Sequence, residues 1–389
     1  MSELPPIRTI TLGIAEEHPL PGAVIQRAAT ILRVAGERYA AGGYEVQTLR
    51  IATRPLLDDL AAWSPPDIVA YTHDLQRMLD DAGLAYCSLG PAQAARPDFP
   101  LERMDLLADV LISTSALNAT VQLAEVEHGL RAEAARPAAR IIKRLADETA
   151  EGFGNFRFAM LACVAPGAPF FPAAYHNGPA SLSIGLQGAS IVKDALRPYA
   201  SGNAPTRITE WVREALIARA MPVVTLGEQL AREHDLHFGG IDLSPAPMGE
   251  DSIVTALELC GYGPFGTPGT LAAAAALTEA LKSTGLPTCG YCGLMLPVLE
   301  DAALGRRWAE SNLNTHQLLL YSAVCGTGLD TIPLPGDIAP EAIAGLLLDV
   351  ATLALRLRKP LSARLFPVPG RRAGEYTAFT SPYLTNTRI

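Results

Sequence analysis

Hydrophobic and polar positions alternate along this chain in a regular way, because short runs rich in β-branched residues are separated by longer stretches with helical periodicity. The short runs predict ten strands, at residues 9–14, 45–51, 85–89, 110–114, 157–164, 182–186, 239–243, 293–298, 329–334 and 363–368. The longer stretches predict helices at 23–41, 67–82, 138–150, 206–233, 253–259, 270–283 and 339–357. Strands joined by helices of this length form βαβ units with parallel strands, so the chain is predicted to be an α/β protein.

The predicted number of strands leaves two architectures open. The Pro/Gly-rich segment 166–172, near the fifth strand, is the best internal boundary, and no low-complexity linker divides the chain. A single closed barrel over residues 1–389, with one five-stranded half at about 1–165 and the other at 166–389, fits the strand count. An open doubly wound sheet with a second domain is the alternative.

Composition and charge narrow the classes of function. The chain of 389 residues is 49% hydrophobic and 18% charged, which is enough apolar material for a sizeable core. A net charge of −9 without a visible basic patch argues against nucleic-acid binding. No apolar stretch is long enough to cross a bilayer and the N-terminus lacks a signal pattern, so no membrane association is expected. Six cysteines in a chain this long predict reduced thiols and a cytoplasmic location.

Compact turns rich in glycine, proline and acidic residues follow most predicted strands of the second half. Ligands of parallel α/β folds bind at the carboxyl ends of the strands, so these turns are the expected site. One of them holds Cys325 beside Gly326 and Gly328, where the glycines let backbone approach a ligand closely. Cys325 is a candidate nucleophile or acid–base group if its pKa is lowered, and an inert helix-end thiol otherwise.

Carboxylates are the most suggestive set in these turns. Asp242 ends one predicted strand, Glu300 and Asp301 follow another, and Asp330 and Asp337 flank a third. Carboxylates that converge can raise one another's pKa for acid–base work, for which Asp242 and Asp330 are the candidates. They can also bind a divalent cation such as Mg²⁺ or Ca²⁺, with Asp242, Glu300, Asp301 and Asp337 as ligands. Alternatively, Glu300 and Asp301 simply complement the dipole of the next helix.

Four further residues are candidates for substrate contact or catalysis. Arg364 lies inside an apolar predicted strand, where a charge must pair with an aspartate or meet an anionic substrate. His176 and Tyr175 lie in a long loop, and His176 is a candidate general base or a hydrogen-bonded loop histidine. Thr270 precedes an apolar helix whose N-terminal amides can hold an anion or be capped by the threonine itself.

Two motif-like strings carry little weight. Residues 261–266 match G-x-G-x-x-G, but the preceding segment is helical rather than a strand, so no nicotinamide cofactor is expected. Cys289 and Cys292 form a single C-x-x-C pair without a second pair of zinc ligands, and buried inert thiols are the favoured interpretation.

Several long strings resemble the uncharacterised domain-of-unknown-function 711 (DUF711) family in the same order. They are GFGNFRF at 152–158, PGAPFFPAAYHNG at 166–178, GIDLSPAP at 240–247, FGTPGTLAAAAALT at 265–278, GLMLPVLED at 293–301, YSAVCGTGLDTIPLPGD at 321–337 and KPLSARLFPVPGRRAG at 359–374. The resemblance implies a fold similar to that of pyruvate formate-lyase and its glycyl radical relatives, a ten-stranded α/β barrel of two five-stranded halves. It also implies a homodimer, and it brings no established reaction.

A glycyl radical signature is expected near the C-terminus of such enzymes, and residues 381–389 do not contain one. Two hypotheses follow. The first is an enzyme acting on a small anionic metabolite by cysteine/carboxylate acid–base or divalent-metal-assisted chemistry, without a glycyl radical, with Arg364 positioning the substrate. The second is a non-catalytic regulatory protein that binds a small ligand or a metal on the same barrel.

Overall fold

The structure is a computed structural model that describes residues 4–199, 205–311 and 313–389. In these ranges ten strands form one mixed sheet. The strands are β1 (Ile7–Gly13), β2 (Leu49–Ala52), β3 (Cys87–Ala92), β4 (Leu117–Glu125), β5 (Gly129–Leu130), β6 (Phe158–Ala162), β7 (Ser181–Leu186), β8 (His237–Asp242), β9 (Gly328–Pro335) and β10 (Leu361–Val368). The prediction of an α/β fold is therefore confirmed.

Helices connect most of these strands and cover the outer face of the sheet. They are α1 (Gly22–Ala41), α2 (Leu56–Asp59), α3 (Pro65–Ala82), α4 (Leu106–Ser113), α5 (Ala135–Glu148), α6 (Ala189–Leu196), α7 (Pro205–Glu233), α8 (Ile253–Glu258), α9 (Thr270–Lys282), α10 (Ala302–Ala309), α11 (Thr315–Val324) and α12 (Pro340–Leu357). Across the described residues, no helix combines the length and the apolar character needed to cross a membrane.

The sheet consists of a central parallel block and, at each edge, a pair of strands that runs in the opposite direction. Its strand order is β8-β7-β1-β2-β3-β4-β6-β10-β9, with the short β5 beside β4. Strands β1, β2, β3, β4 and β6 pair in parallel. The pairs β7–β8 and β9–β10 are each internally parallel and join this block through antiparallel contacts at β1 and β6.

The edge strands β8 and β9 are not paired with each other in the described part of the chain. The irregular segment 287–298 contacts both of them. At one end the Ile241 N–H of β8 donates to Pro287 O at 2.9 Å, and at the other the Val298 N–H donates to Asp330 O of β9 at 3.1 Å. The ten-stranded sheet is thus not closed by strand pairing, and segment 287–298 lies between its edges.

Alternation along the strands gives the sheet an apolar outer face and a more polar inner face. On β2, Leu49 and Ile51 pack with the helices, whereas Arg50 between them lies on the other face. Similarly, Leu361, Ala363 and Leu365 of β10 belong to the main hydrophobic core, whereas Ser362 and Arg364 line an internal cavity. The inner face therefore carries the polar side chains that are candidates for chemistry.

Two predicted strands differ from the structure. Residues 110–114 lie mostly in helix α4, because their apolar positions also follow helical spacing with Leu106 and Leu107 one turn before, and the fourth strand is β4 instead. Residues 293–298 form no regular strand, although Pro297 makes an isolated parallel bridge to Asp330. Proline at 297 lacks the N–H that a ladder of hydrogen bonds requires there.

A buried histidine lies near the carboxyl ends of β1 and β2, and it predicts acid sensitivity. His18 is 4% exposed, and its ring nitrogens hydrogen-bond Tyr71 Oη and Thr53 Oγ1, each at 2.8 Å. Burial lowers the pKa of His18 from 6.5 to about 4. The unfolded chain therefore binds a proton at the His18 ring more readily than the folded protein does. The neutral, buried ring contributes to the free energy of unfolding above pH 6.5, and this contribution is lost as the pH falls towards 4.

We expect acidification from neutral pH to the pKa of His18 in the folded protein to lower the free energy of unfolding by roughly 3 kcal/mol through this residue, at 1.36 kcal/mol per pKa unit. Urea unfolding across this pH range, compared between the wild type and His18→Asn, measures it. The variant should be less stable at neutral pH and show a shallower loss on acidification. Parallel pH profiles for the two proteins would contradict the assignment.

Candidate functional site

The inner face of the sheet borders a cavity of about 430 Å³. Its charged lining residues are Arg8, Glu45, Arg50, Arg157, Glu300, Asp330 and Arg364. Its aromatic lining residues are Tyr86, Phe156, Phe170, Phe171, Tyr291 and Tyr383. The volume falls within the range typical of small-molecule sites, and the mixture of apolar walls with a few charged groups is also typical of them.

Arg364 of β10 holds two carboxylates in the cavity. Its Nε donates to Asp330 Oδ1 of β9 at 2.7 Å, and its Nη2 donates to Glu300 Oε1 at 2.5 Å. Arg364 and Glu300 are each 8% exposed. Burial and the neighbouring Asp330 raise the pKa of Glu300, and the two nearby arginines Arg364 and Arg8 oppose that rise. The cluster fixes one face of the cavity, and among the described residues no hydrogen bond reaches Glu300 Oε2.

Arg8 extends this cluster from β1. Its Nη2 lies 3.8 Å from Glu300 Oε2, which is a loose ion pair. Its Nη1 donates to Gln47 Oε1 at 3.1 Å and contacts Met248 Sδ at 2.9 Å. Arg8 is therefore held in place by neutral groups more than by a carboxylate.

Arg50 of β2 is a buried charge in the cavity whose close contacts are neutral groups. It is 8% exposed, and its Nε donates to Thr48 Oγ1 at 2.9 Å. Its guanidinium lies between the rings of Tyr86 and Phe171, at 5.1 and 4.9 Å from their centroids. Among the described residues no carboxylate lies within ion-pair distance of it. Burial, assisted by Arg8, lowers the pKa of this guanidinium, yet an arginine stays protonated at neutral pH.

A family model described as "Uncharacterised ACR (DUF711)" matches residues 1–380. The chain belongs to the DUF711 family. This membership confirms the resemblance predicted from the strings between residues 152 and 374 and extends it over the first half of the chain.

Curated relatives of this DUF711 member are UPF0210 proteins of archaea and bacteria. A UPF0210 protein of Pyrobaculum arsenaticum is 31% identical over 91% of this chain and 80% of its own length. One of Pyrobaculum aerophilum is 32% identical over 89% and 79% of the two chains. One of Desulforudis audaxviator is 29% identical over 96% and 88%. These descriptions name no activity, so the function must be inferred from the site.

In this DUF711 chain, Asp242 lies outside the lining of the cavity. It is fully buried at the end of β8 and accepts four hydrogen bonds. They come from Ser244 N at 2.9 Å, Ser244 Oγ at 2.6 Å, Tyr291 N at 2.9 Å and Cys292 N at 3.1 Å. Asp242 thus ties β8 to segment 287–298, and in this arrangement neither carboxylate oxygen is free for a substrate or a metal.

The predicted metal ligands are not brought together. Asp301 accepts from Leu304 N at 3.0 Å and Ile253 N at 3.1 Å, which caps α10 and links it to α8. Asp337 is exposed on the loop after β9, whereas Glu300 lies in the cavity. Within the described ranges no group of three or more His, Cys, Asp or Glu side chains is placed to hold a metal ion.

Cys325 and its glycines form a packing site beside the cavity. Cys325 is 1% exposed, and burial raises the pKa of its thiol to about 12, which disfavours the reactive thiolate. A Cβ on Gly326 would lie 2.3 Å from Leu294 O, and one on Gly328 would lie 2.1 Å from Ser362 O. These glycines therefore permit close backbone packing, and between them only Thr327 lines the cavity.

The remaining candidates have internal partners and also lie outside the lining. His176 Nε2 is 2.9 Å from Pro179 O, and burial lowers its pKa. Tyr175 Oη donates to Val164 O at 2.9 Å. Thr270 Oγ1 accepts from Gly266 N at 3.1 Å near the start of α9. Of the residues that we predicted from the sequence, the structure thus brings Glu300, Asp330 and Arg364 together.

Arg8 and Arg50 were missed by the sequence analysis. Arg8 directly precedes the predicted strand at 9–14, and Arg50 lies within the one at 45–51, between Leu49 and Ile51, where it interrupts an apolar pattern as Arg364 does. The signal that singled out Arg364 was therefore present at Arg50 as well. Arg50 lies in the first half of the chain, whereas we expected the functional residues in the turns of the second half.

Proposed function

We propose that this protein binds a small organic anion, with a carboxylate as the preferred charged group, in the cavity on the inner face of its sheet. The observation that carries the proposal is Arg50, a buried guanidinium that faces the cavity without a carboxylate partner among the described residues. A buried charge is costly unless it is paired, so a site that retains one is typical of a position where a ligand supplies the partner.

The balance of charge supports this proposal. Four positive charges line the cavity, those of Arg8, Arg50, Arg157 and Arg364, against the three negative charges of Glu45, Glu300 and Asp330. One anion would complete the balance. A carboxylate fits the two free terminal nitrogens of Arg50 because a guanidinium can donate to both of its oxygens at once. The aromatic walls favour an organic anion over an inorganic one.

The test is a thermal-shift and calorimetric titration with benzoate, propionate, succinate and inorganic phosphate. We expect at least one carboxylate to stabilise the wild type and to bind Arg50→Met roughly 10- to 100-fold more weakly, since a charge-assisted contact contributes about 1.5–3 kcal/mol. The variant should keep or gain stability, because it removes a buried unpaired charge.

Two controls separate this effect from general electrostatics. Arg38→Met removes an arginine that pairs with Glu233 on the surface, at 2.9 Å, and should leave affinity unchanged. Glu300→Gln removes a competing negative charge from the cluster and should tighten binding several-fold, to the order of 10-fold or less. Phosphate binding in preference to every carboxylate would overturn the choice of ligand, and unchanged affinity in Arg50→Met would overturn the site.

An acid–base enzyme on a bound anion is the second candidate, and Glu300 favours it. Glu300 Oε1 is fixed by Arg364 at 2.5 Å, while Oε2 has only the loose contact with Arg8 at 3.8 Å. A carboxylate with a raised pKa and one oxygen outside the short Arg364 contact, in the lining of a cavity, is suited to proton transfer. For an enzyme, Glu300→Gln would retain binding and lose turnover, whereas for a binding protein no turnover would depend on it.

The barrel implied by the resemblance is part of the same proposal. The two edge pairs of strands, which share one direction, the cavity on the inner face of the sheet and the contacts of segment 287–298 with both β8 and β9 support it. In such a barrel the irregular segment would complete the ring of nine strands from β8 to β9, with the short β5 outside that ring.

A further inference from the structure

One wall of the cavity consists of neighbouring aromatic rings and guanidinium groups. Arg50 lies between the rings of Phe171 and Tyr86, at 4.9 and 5.1 Å from their centroids. The phenol groups of Tyr86 and Tyr383 lie near enough to interact electrostatically. These contacts join Arg50 to the C-terminal segment that follows β10.

The same pattern continues on the other side of Tyr383. The ring of Tyr383 stacks on Phe156 with centroids 6.3 Å apart and an angle of 24° between their planes. The guanidinium carbon of Arg364 lies 5.0 Å from the centroid of Phe156. Phe156 therefore contacts both an aromatic ring and a guanidinium group, and Arg50 contacts two aromatic rings.

The concentration of rings here is unusual for this chain. Aromatic residues make up 6% of the sequence, whereas six of them line this one cavity. Tyr383 lines the cavity and is 49% exposed, so part of its side chain is accessible to a ligand. A wall of π faces and planar cations attracts flat, unsaturated molecules more than saturated ones of the same size.

We infer that the ligand is an aromatic carboxylate, held by its charge at Arg50 and by its ring against Tyr383 and the adjoining wall. This inference rests on the proposed function and goes beyond it by naming the class of ligand. It assigns Tyr383 as a specificity residue, because the side chain adds ring contacts without touching the charged cluster around Glu300.

The experiment compares benzoate with cyclohexanecarboxylate by calorimetry on the full-length protein. The two anions have the same charge and nearly the same size and differ in the ring. We expect the wild type to bind benzoate about 3- to 10-fold more tightly, the amount that an aromatic pair contributes beyond buried area. Tyr383→Leu should reduce this preference to about one, chiefly by weakening benzoate binding.

Tyr383→Phe is the matched variant, because it keeps the ring and removes only the hydroxyl that meets Tyr86. It should retain the preference for benzoate, which separates a stacking role from a role in holding Tyr86. Circular dichroism and thermal unfolding check that each variant folds, as expected for a half-exposed side chain.

The outcomes distinguish this inference from the function on which it rests. Equal affinities for the two anions, both lost in Arg50→Met, would overturn the aromatic ligand and leave the anion site standing. Preference for benzoate that survives in Tyr383→Leu would overturn the role of Tyr383. Binding of neither anion would overturn the aromatic ligand, and the proposed function with it if propionate, succinate and phosphate also fail to bind.

Discussion

Replacing Arg364 by methionine is expected to lower the free energy of unfolding by about 3–5 kcal/mol at neutral pH. The change leaves Glu300 and Asp330 in the cavity without the guanidinium that now lies 2.5 and 2.7 Å from them. Arg8 is too far from Glu300, at 3.8 Å, to replace it. Urea unfolding followed by tryptophan fluorescence measures the loss.

Two controls test whether the loss of stability comes from negative charge left without a partner. If the loss arises from stranded negative charge, it should shrink on acidification, because the two carboxylates can then take up protons. It should also shrink when Arg364→Met is combined with Glu300→Gln and Asp330→Asn, which removes the charge but preserves the shape. Equal losses in the single and triple variants, at every pH, would show that Arg364 acts through packing alone.

Most of the fold could be predicted because its outer face is simple. Strands such as β1, β7 and β10 alternate between apolar residues that meet helices and polar residues that do not, and the helices between them are long. The wrong predictions lie where one stretch of sequence is compatible with both a strand and a helix. The run at residues 110–114 is apolar enough for a buried strand and is nevertheless part of helix α4.

The site could be predicted only in part, because a sequence shows which residues are charged but not where their partners lie. Arg364 was recognised as a charge inside a strand, and Asp330 and Glu300 as carboxylates near strand ends, and these three do meet. Asp242 has the same local pattern as Asp330. What separates them is a segment 49 residues later, whose backbone N–H groups satisfy Asp242, and no local pattern reveals that contact.

Asp242→Ala is accordingly expected to cost about as much stability as the loss of Arg364, roughly 3–5 kcal/mol, for a different reason. The substitution removes the acceptor of three backbone N–H groups, those of Ser244, Tyr291 and Cys292, each of which costs about 1–3 kcal/mol when buried without a partner. No other acceptor can move in easily, because Gly290 packs directly against this carboxylate.

A graded series distinguishes this structural role from catalysis. Asp242→Asn keeps an oxygen for the donors at Oδ1 and turns an N–H towards that of Tyr291, so it should lose about half as much stability as Asp242→Ala. Asp337→Ala, on the exposed loop, should change stability by no more than about 0.5 kcal/mol. Because Asp242 lies outside the cavity lining, the folded fraction of each variant should bind benzoate as the wild type does. Weakened binding in a stably folded Asp242→Asn would instead place this carboxylate in the ligand site.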